Sequence, residues 1–98
     1  MQDDNRFVLS RVVNFEGKEY SELNLDFDAL TGNDVIQAER QLVAMNQHNS
    51  VIPVKELSKE FLAVILAKAA KVPVELINSL SAKDFSKATV LAQNFLLR

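Results

Sequence analysis

The 98-residue chain has no cysteine, a single histidine, two glycines and two prolines. Small secreted domains usually carry disulfides, so a chain without cysteine is expected in a reducing interior. Gly17 and Gly32 lie too far apart to form a phosphate-cradling loop. So few glycines and prolines also leave no room for a low-complexity segment. A basic excess is missing too: the net charge is −2, against the positive balance of most nucleic-acid binders. The longest apolar run, residues 61–67, ends at Lys68, far short of the roughly 20 residues that span a bilayer. The opening MQDDNRF is polar and acidic where a signal peptide would be basic and then apolar. These absences lead us to expect a cytoplasmic protein with neither a nucleic-acid nor a membrane partner.

What remains is an ordinary globular composition, 48% hydrophobic and 24% charged. The length suits one domain, expected over residues 1–98 with residues 1–6 as a disordered N-terminus. The chain is organised around FLAVILAKAA, residues 61–70. Seven consecutive apolar residues cannot share one face of a surface helix, so this segment is expected to be a buried helix. Phe61, Leu62, Ile65 and Leu66 should be its core.

Before it, FVLSRVVNF (7–15) and EYSELNLDF (19–27) read as strands, with glycine in Glu16-Gly17-Lys18 supplying a positive φ at the turn. A three-residue loop, 15–17, would set Leu9 against Leu23 and Phe7 against Leu25 on one apolar face. Val12 against Tyr20 and Ser10 against Glu22 would then form a mostly wet face. Thr31 with Asp34 forms a capping-box-like start to a helix over 33–45, whose stripe is Val35, Ala38, Leu42 and Met45 with Ile36 and Val43 beside it. Residues 46–50 are expected as a polar loop and 51–54 as an apolar linker. The central helix should cover about 55–71, stopped at Val72-Pro73. A short helix over 74–80 follows, with Pro73 at its first position. Ser81 and Asp84 cap a last helix over 82–97. The expected fold class is therefore α+β, an N-terminal antiparallel β-hairpin followed by a compact bundle of three to four helices around the central one.

The last helix has a main stripe of Phe85, Ala88, Thr89, Ala92, Phe95 and Leu96. Val90, Leu91 and Leu97 fall outside it. A surplus apolar flank at an exposed terminus suggests a protein partner, the alternative being that these residues fold back on the core.

No catalytic constellation emerges. His48 stands alone in a polar loop, without a second imidazole or cysteine for a metal or an orienting partner for base catalysis. Asp26-x-Asp28 imitates the start of a calcium loop, but the central glycine and the position-12 glutamate are missing. The serines have no nucleophile-elbow context. Catalytic, cofactor and metal residues are accordingly all expected to be absent, and with them an enzymatic role.

The order FEGKEYSELNLDF, LTGNDVIQAERQ, ELSKEFLAVILAKAAKVPVELINSL and SAKDFSKATVLAQNFLL resembles the small tail assembly chaperones of long-tailed bacteriophages and of prophages. The likeness runs from about Phe7 to Leu97 and rests on the order and spacing of its parts. The resemblance implies a non-enzymatic protein of the bacterial host cytoplasm, absent from the mature virion. It would bind the tape-measure protein and keep it from aggregating while tail-tube subunits polymerise around it. It also implies self-association as a homo-oligomer and, in many members, a longer frameshifted form that recruits the tail-tube protein. Leu91, Phe95, Leu96 and Leu97 are the candidate self or client contacts, and the free edge of the hairpin is a second candidate. Alternatives are a structural tail component retained in the virion, or a small helical protein-binding adaptor.

Overall fold

The computed structural model describes residues 5–45 and 58–97. It is an α+β fold in which an antiparallel hairpin, β1 (Arg6–Phe15) and β2 (Lys18–Asn24), precedes four helices. These are α1 (Gly32–Met45), α2 (Lys59–Ala70), α3 (Val74–Asn78) and α4 (Ala82–Leu97). His48 and the 46–54 segment lie outside the described residues, as do residues 1–4. Arg6 already belongs to β1, and the Asn5 carbonyl accepts the Leu25 N–H at 2.9 Å, so the ordered ladder begins earlier than the pattern of apolar residues suggests.

The hairpin turns more tightly than expected. Phe15 pairs with Lys18, leaving a two-residue turn in which Glu16 (φ 51°) and Gly17 (φ 80°) are both left-handed. Paired positive φ values belong to the type I′ turn, whose twist matches that of the flanking strands. The register differs as well. Phe7, not Leu9, faces Leu23, and Val13, not Val12, faces Tyr20. The expected pairings Phe7–Leu25 and Ser10–Glu22 are likewise replaced. Between the pairs Val8–Glu22 and Val13–Tyr20, four residues of β1 stand against Ser21 alone. This bulge, 9–12, releases β1 from the ladder, and Leu9 and Val13 are both buried while Val12 is not. Core burial on a bent strand has overridden the simple period-2 match on which the expected register rested.

The return strand ends at Asn24, short of Phe27. The Asp26 N–H turns instead to the Ala69 carbonyl at the end of α2 (3.3 Å), and Phe27–Ala29 forms a single 3-10 turn. The cap of α1 is reciprocal: the Asp34 N–H donates to Thr31 Oγ1 (3.3 Å), and the Thr31 N–H donates to Asp34 Oδ2 (2.9 Å). Ala38 and Leu42 are buried and Val35 packs on the core, as the stripe requires, while Ile36 and Val43 are exposed.

α2 is the centre. Residues 61–67 are all buried, with Phe61, Val64, Ile65 and Leu66 fully so, and α1, α3, α4 and β2 pack around them. Its start lies later than residue 55, because Ser58 has extended ψ (145°) and its hydroxyl accepts the Phe61 N–H. Lys55, Glu56 and Leu57 lie outside the described residues. At the other end the Val72 N–H reaches Ala67 O and the Lys71 N–H reaches Lys68 O, with Lys71 left-handed at φ 59°. That pairing is a Schellman motif, here built on lysine where glycine is usual. α3 is shorter than its expected 74–80 span, since the N–H groups of Ser79 and Leu80 bond in 3-10 fashion to Leu76 and Ile77, and Pro73 is its N-cap.

Candidate partner-binding surface

α4 begins where expected, with the Asp84 N–H donating to Ser81 Oγ at 3.2 Å. Its acid does not complete the capping box. The Asp84 side chain is buried, and both carboxylate oxygens accept from the Ser10 N–H, at 3.1 and 3.0 Å. The bulge in β1 explains this contact, because a strand segment without ladder partners must place its N–H groups elsewhere. Burial raises the Asp84 pKa. Against it work the Ser10 N–H, the Ser10 and Ser81 hydroxyls and the Arg11 N–H, and the net result lies below the ordinary value. One carboxylate thus fastens β1 to the first turn of α4 and fixes how the two elements lie together.

Beyond that fastening, β1 and α4 enclose an open depression of about 480 Å³ lined by Phe7, Ser86, Lys87, Val90 and Leu91. Apart from Ser86 and the head of Lys87 its lining side chains are hydrocarbon. Val90 (50% exposed), Leu91 (42%) and Leu97 (59%) remain open to solvent along the helix. The inward side of α4 carries Ala88, Thr89 and Ala92 fully buried, with the Thr89 hydroxyl satisfied by the Ser86 carbonyl at 3.0 Å.

The four residues singled out from the sequence therefore separate. Leu91 and Leu97 are exposed on the outer side. Leu96 is half-buried against the core, and Phe95 stacks on Phe27, with ring centroids 5.1 Å apart and planes 20° off parallel. The end of α4 is thus pinned to the 3-10 turn, and Leu97 is the large apolar side chain it leaves free. Sequence reasoning did not select Phe7 as part of this surface, nor Val90, although Val90 is visible as a residue outside the main stripe. Phe7 becomes part of it because β1 packs beside α4, a long-range contact that no local pattern signals. A second, smaller depression of about 340 Å³ lies on the outer side of α1, between Glu39, Arg40, Val43 and Ala44.

Among the described residues no group of three His, Asp or Glu side chains is placed to hold a metal ion. No helix there is long and apolar enough to cross a membrane. Among the described residues, the depression between β1 and α4 presents mostly hydrocarbon, with a lysine at its border.

No curated protein and no solved structure matches the chain. A family model does, that of the phage tail assembly chaperone proteins described as E, or 41 or 14, over residues 6–97. A match over nearly the whole length, on a hairpin and four helices in the expected order, means that this chain belongs to the phage tail assembly chaperone family.

Proposed function

We propose that this protein binds the tape-measure protein and keeps it soluble while tail-tube subunits assemble around it, acting by contact and without catalysis. The observation that carries this reading is the carbon-lined depression between β1 and α4, continued along the helix by exposed Leu91 and Leu97. A chaperone for a long helical client needs such a surface: apolar enough to cover client side chains, shallow enough to release them. Leu91, Val90 and Leu97 are its contacts to the client. Phe95 and Leu96 hold the end of the helix in place.

Co-expression with tape-measure fragments tests this. The wild-type chain should shift at least one fragment from the insoluble to the soluble fraction, and Leu91→Ser with Leu97→Ser should abolish the shift while leaving the circular dichroism spectrum intact. Fragments that stay insoluble with the wild-type chain would overturn the reading. So would a double variant that protects as well as the wild type.

The same proposal places the protein in the host cytoplasm and outside the finished particle, so mass spectrometry of purified virions should not find it. Self-association along the client would multiply the weak individual contacts, and light scattering of the purified chain reads it directly. A longer frameshifted form that recruits the tail-tube protein would be visible as a second product of the same gene on a gel.

A further inference from the structure

The outward ridge of α4 combines a spacing with a charge pattern. Lys83, Lys87, Val90, Asn94 and Leu97 are all exposed. Their intervals of four, three, four and three residues are those of a helix seam that packs lengthwise against a second helix. The ridge is divided: its first two turns carry lysine, and the later ones carry Val90 and Leu97, with Leu91 and Phe7 forming the adjoining wall.

The charge on this side runs against that of the whole molecule. The chain is net acidic at −2, yet β1 and α4 hold Arg6, Arg11, Lys83 and Lys87 and one acid between them. That acid, Asp84, is buried and engaged by the Ser10 backbone N–H. Arg6 faces Glu22 across the hairpin at 3.9 Å. Arg11 directly follows the anchored Ser10, and Lys83 directly precedes Asp84, so both belong to the fastened end of the β1–α4 seam. None of Arg11, Lys83 and Lys87 has an ion-pair partner among the described residues.

We infer that the client segment seated on this face is an acidic amphipathic helix, one whose apolar stripe is followed within about two turns by Asp or Glu. The apolar stripe lies over Val90, Leu91 and Leu97, and the acids lie over Lys83 and Lys87. This rests on the proposal that α4 contacts the client, and it specifies which part of a long client is chosen. A nucleic acid fits the face less well, because the lining of the depression is mostly hydrocarbon and Phe7 is its single aromatic ring.

Two labelled helical peptides with the same leucine stripe provide the probe, one with glutamate and one with lysine beyond the stripe, followed by fluorescence anisotropy against the full-length chain. The glutamate peptide should bind about tenfold more tightly than the lysine peptide at low salt, with the gap narrowing as salt screens it. Lys83→Glu with Lys87→Glu, both at exposed positions, should reverse the preference. Leu91→Ser should weaken both peptides alike. Equal binding of the two peptides, binding of neither, or tighter binding of a labelled single-stranded oligonucleotide would overturn the inference. If the peptides fail while the wild-type chain still solubilises tape-measure fragments in a manner dependent on Leu91 and Leu97, the charge rule alone falls. If that solubilisation fails too, the client-binding proposal falls with it.

Discussion

Replacing Asp84 with alanine removes the carboxylate that hydrogen-bonds the strand bulge to α4. Both oxygens of this carboxylate accept from the Ser10 backbone N–H, which no substitution at position 84 can delete. A buried ion pair can be exchanged for two apolar residues at little cost, but here the Ser10 N–H would stay behind without its acceptor. Leaving a buried donor unsatisfied costs about 1–3 kcal/mol, and hydrogen bonds to a charged group sit at the upper end of the usual range. Ser10 and Arg11 are otherwise exposed, so water can recover part of the loss. We expect a destabilisation of about 2–3 kcal/mol, which for a domain of this length lowers Tm by roughly 10–20 °C.

Asp84→Asn separates charge from shape. Its amide oxygen can still accept the Ser10 N–H, but the second accepting oxygen becomes a donor and the charge is lost, so about half the loss should remain. The charged carboxylate is favoured in the folded state, where its pKa lies below the ordinary 3.8. Its contribution is therefore complete above that ordinary value and is lost as the pH falls below it towards the folded-state pKa. Urea unfolding followed by circular dichroism at pH 7, 5, 4 and 3 should show a constant gap between wild type and Asp84→Asn down to about pH 5, then a narrowing one. Native-state hydrogen exchange should show faster exchange at the Ser10 and Arg11 amides in both variants. An Asp84→Ala protein within about 0.5 kcal/mol of wild type at pH 7 would refute the reasoning, because surface substitutions without structural roles fall in that range. A gap that does not narrow on acidification would refute the ionised state assigned to Asp84.

Three further expectations follow from the packing. Leu66→Ala, at a fully buried position of α2, should cost about 2–5 kcal/mol; an unchanged thermal midpoint would mean that α2 is not the core. Lys71→Gly should raise stability by about 0.5–1 kcal/mol, since a non-glycine residue in the left-handed region carries a penalty that glycine does not, and chemical denaturation resolves such a gain. Phe95→Ser should lower Tm by opening the stack on Phe27, whereas Leu97→Ser should leave Tm unchanged within error, a contrast that thermal melts of the two variants read directly.

Much of this fold is written locally. The caps Thr31–Asp34 and Ser81–Asp84, the all-round apolar character of residues 61–67 and the positive φ at Gly17 are short-range signals, and each places its element within a few residues. What escapes is whatever depends on distant parts of the chain. The register of β1 cannot be read from alternation, because the bulge at 9–12 frees a Ser10 N–H whose acceptor, Asp84, lies 74 residues away. Ser81-x-x-Asp84 is equally misleading from the local side: the same spacing makes a reciprocal box at Thr31, yet at Ser81 the acid turns away to the strand. The end of α2 carries no glycine to mark its left-handed residue. The 3-10 turn at Phe27 is set by the Ala69 carbonyl and by Phe95, neither of them near in sequence.

The same distinction governs the candidate site. Its residues on α4 were legible because an apolar side chain outside an amphipathic stripe can be counted. Its wall on β1 was not, because Phe7 borders the depression through the packing of β1 beside α4, which only the fold decides. The acid that fastens β1 to α4 also leaves the face basic, since Asp84 is used inside the protein and cannot offset Lys83 and Lys87 outside it. Fold and surface chemistry are thus coupled through one side chain. The Asp84→Asn variant should disturb the seam that shapes the depression without changing any residue that lines it. If client binding depends on how β1 and α4 are held, Asp84→Asn should weaken the protection of tape-measure fragments more than its loss of stability accounts for. Measured at a temperature well below its own Tm, protection equal to wild type would show that the exposed residues of α4 suffice and that the strand is only a support.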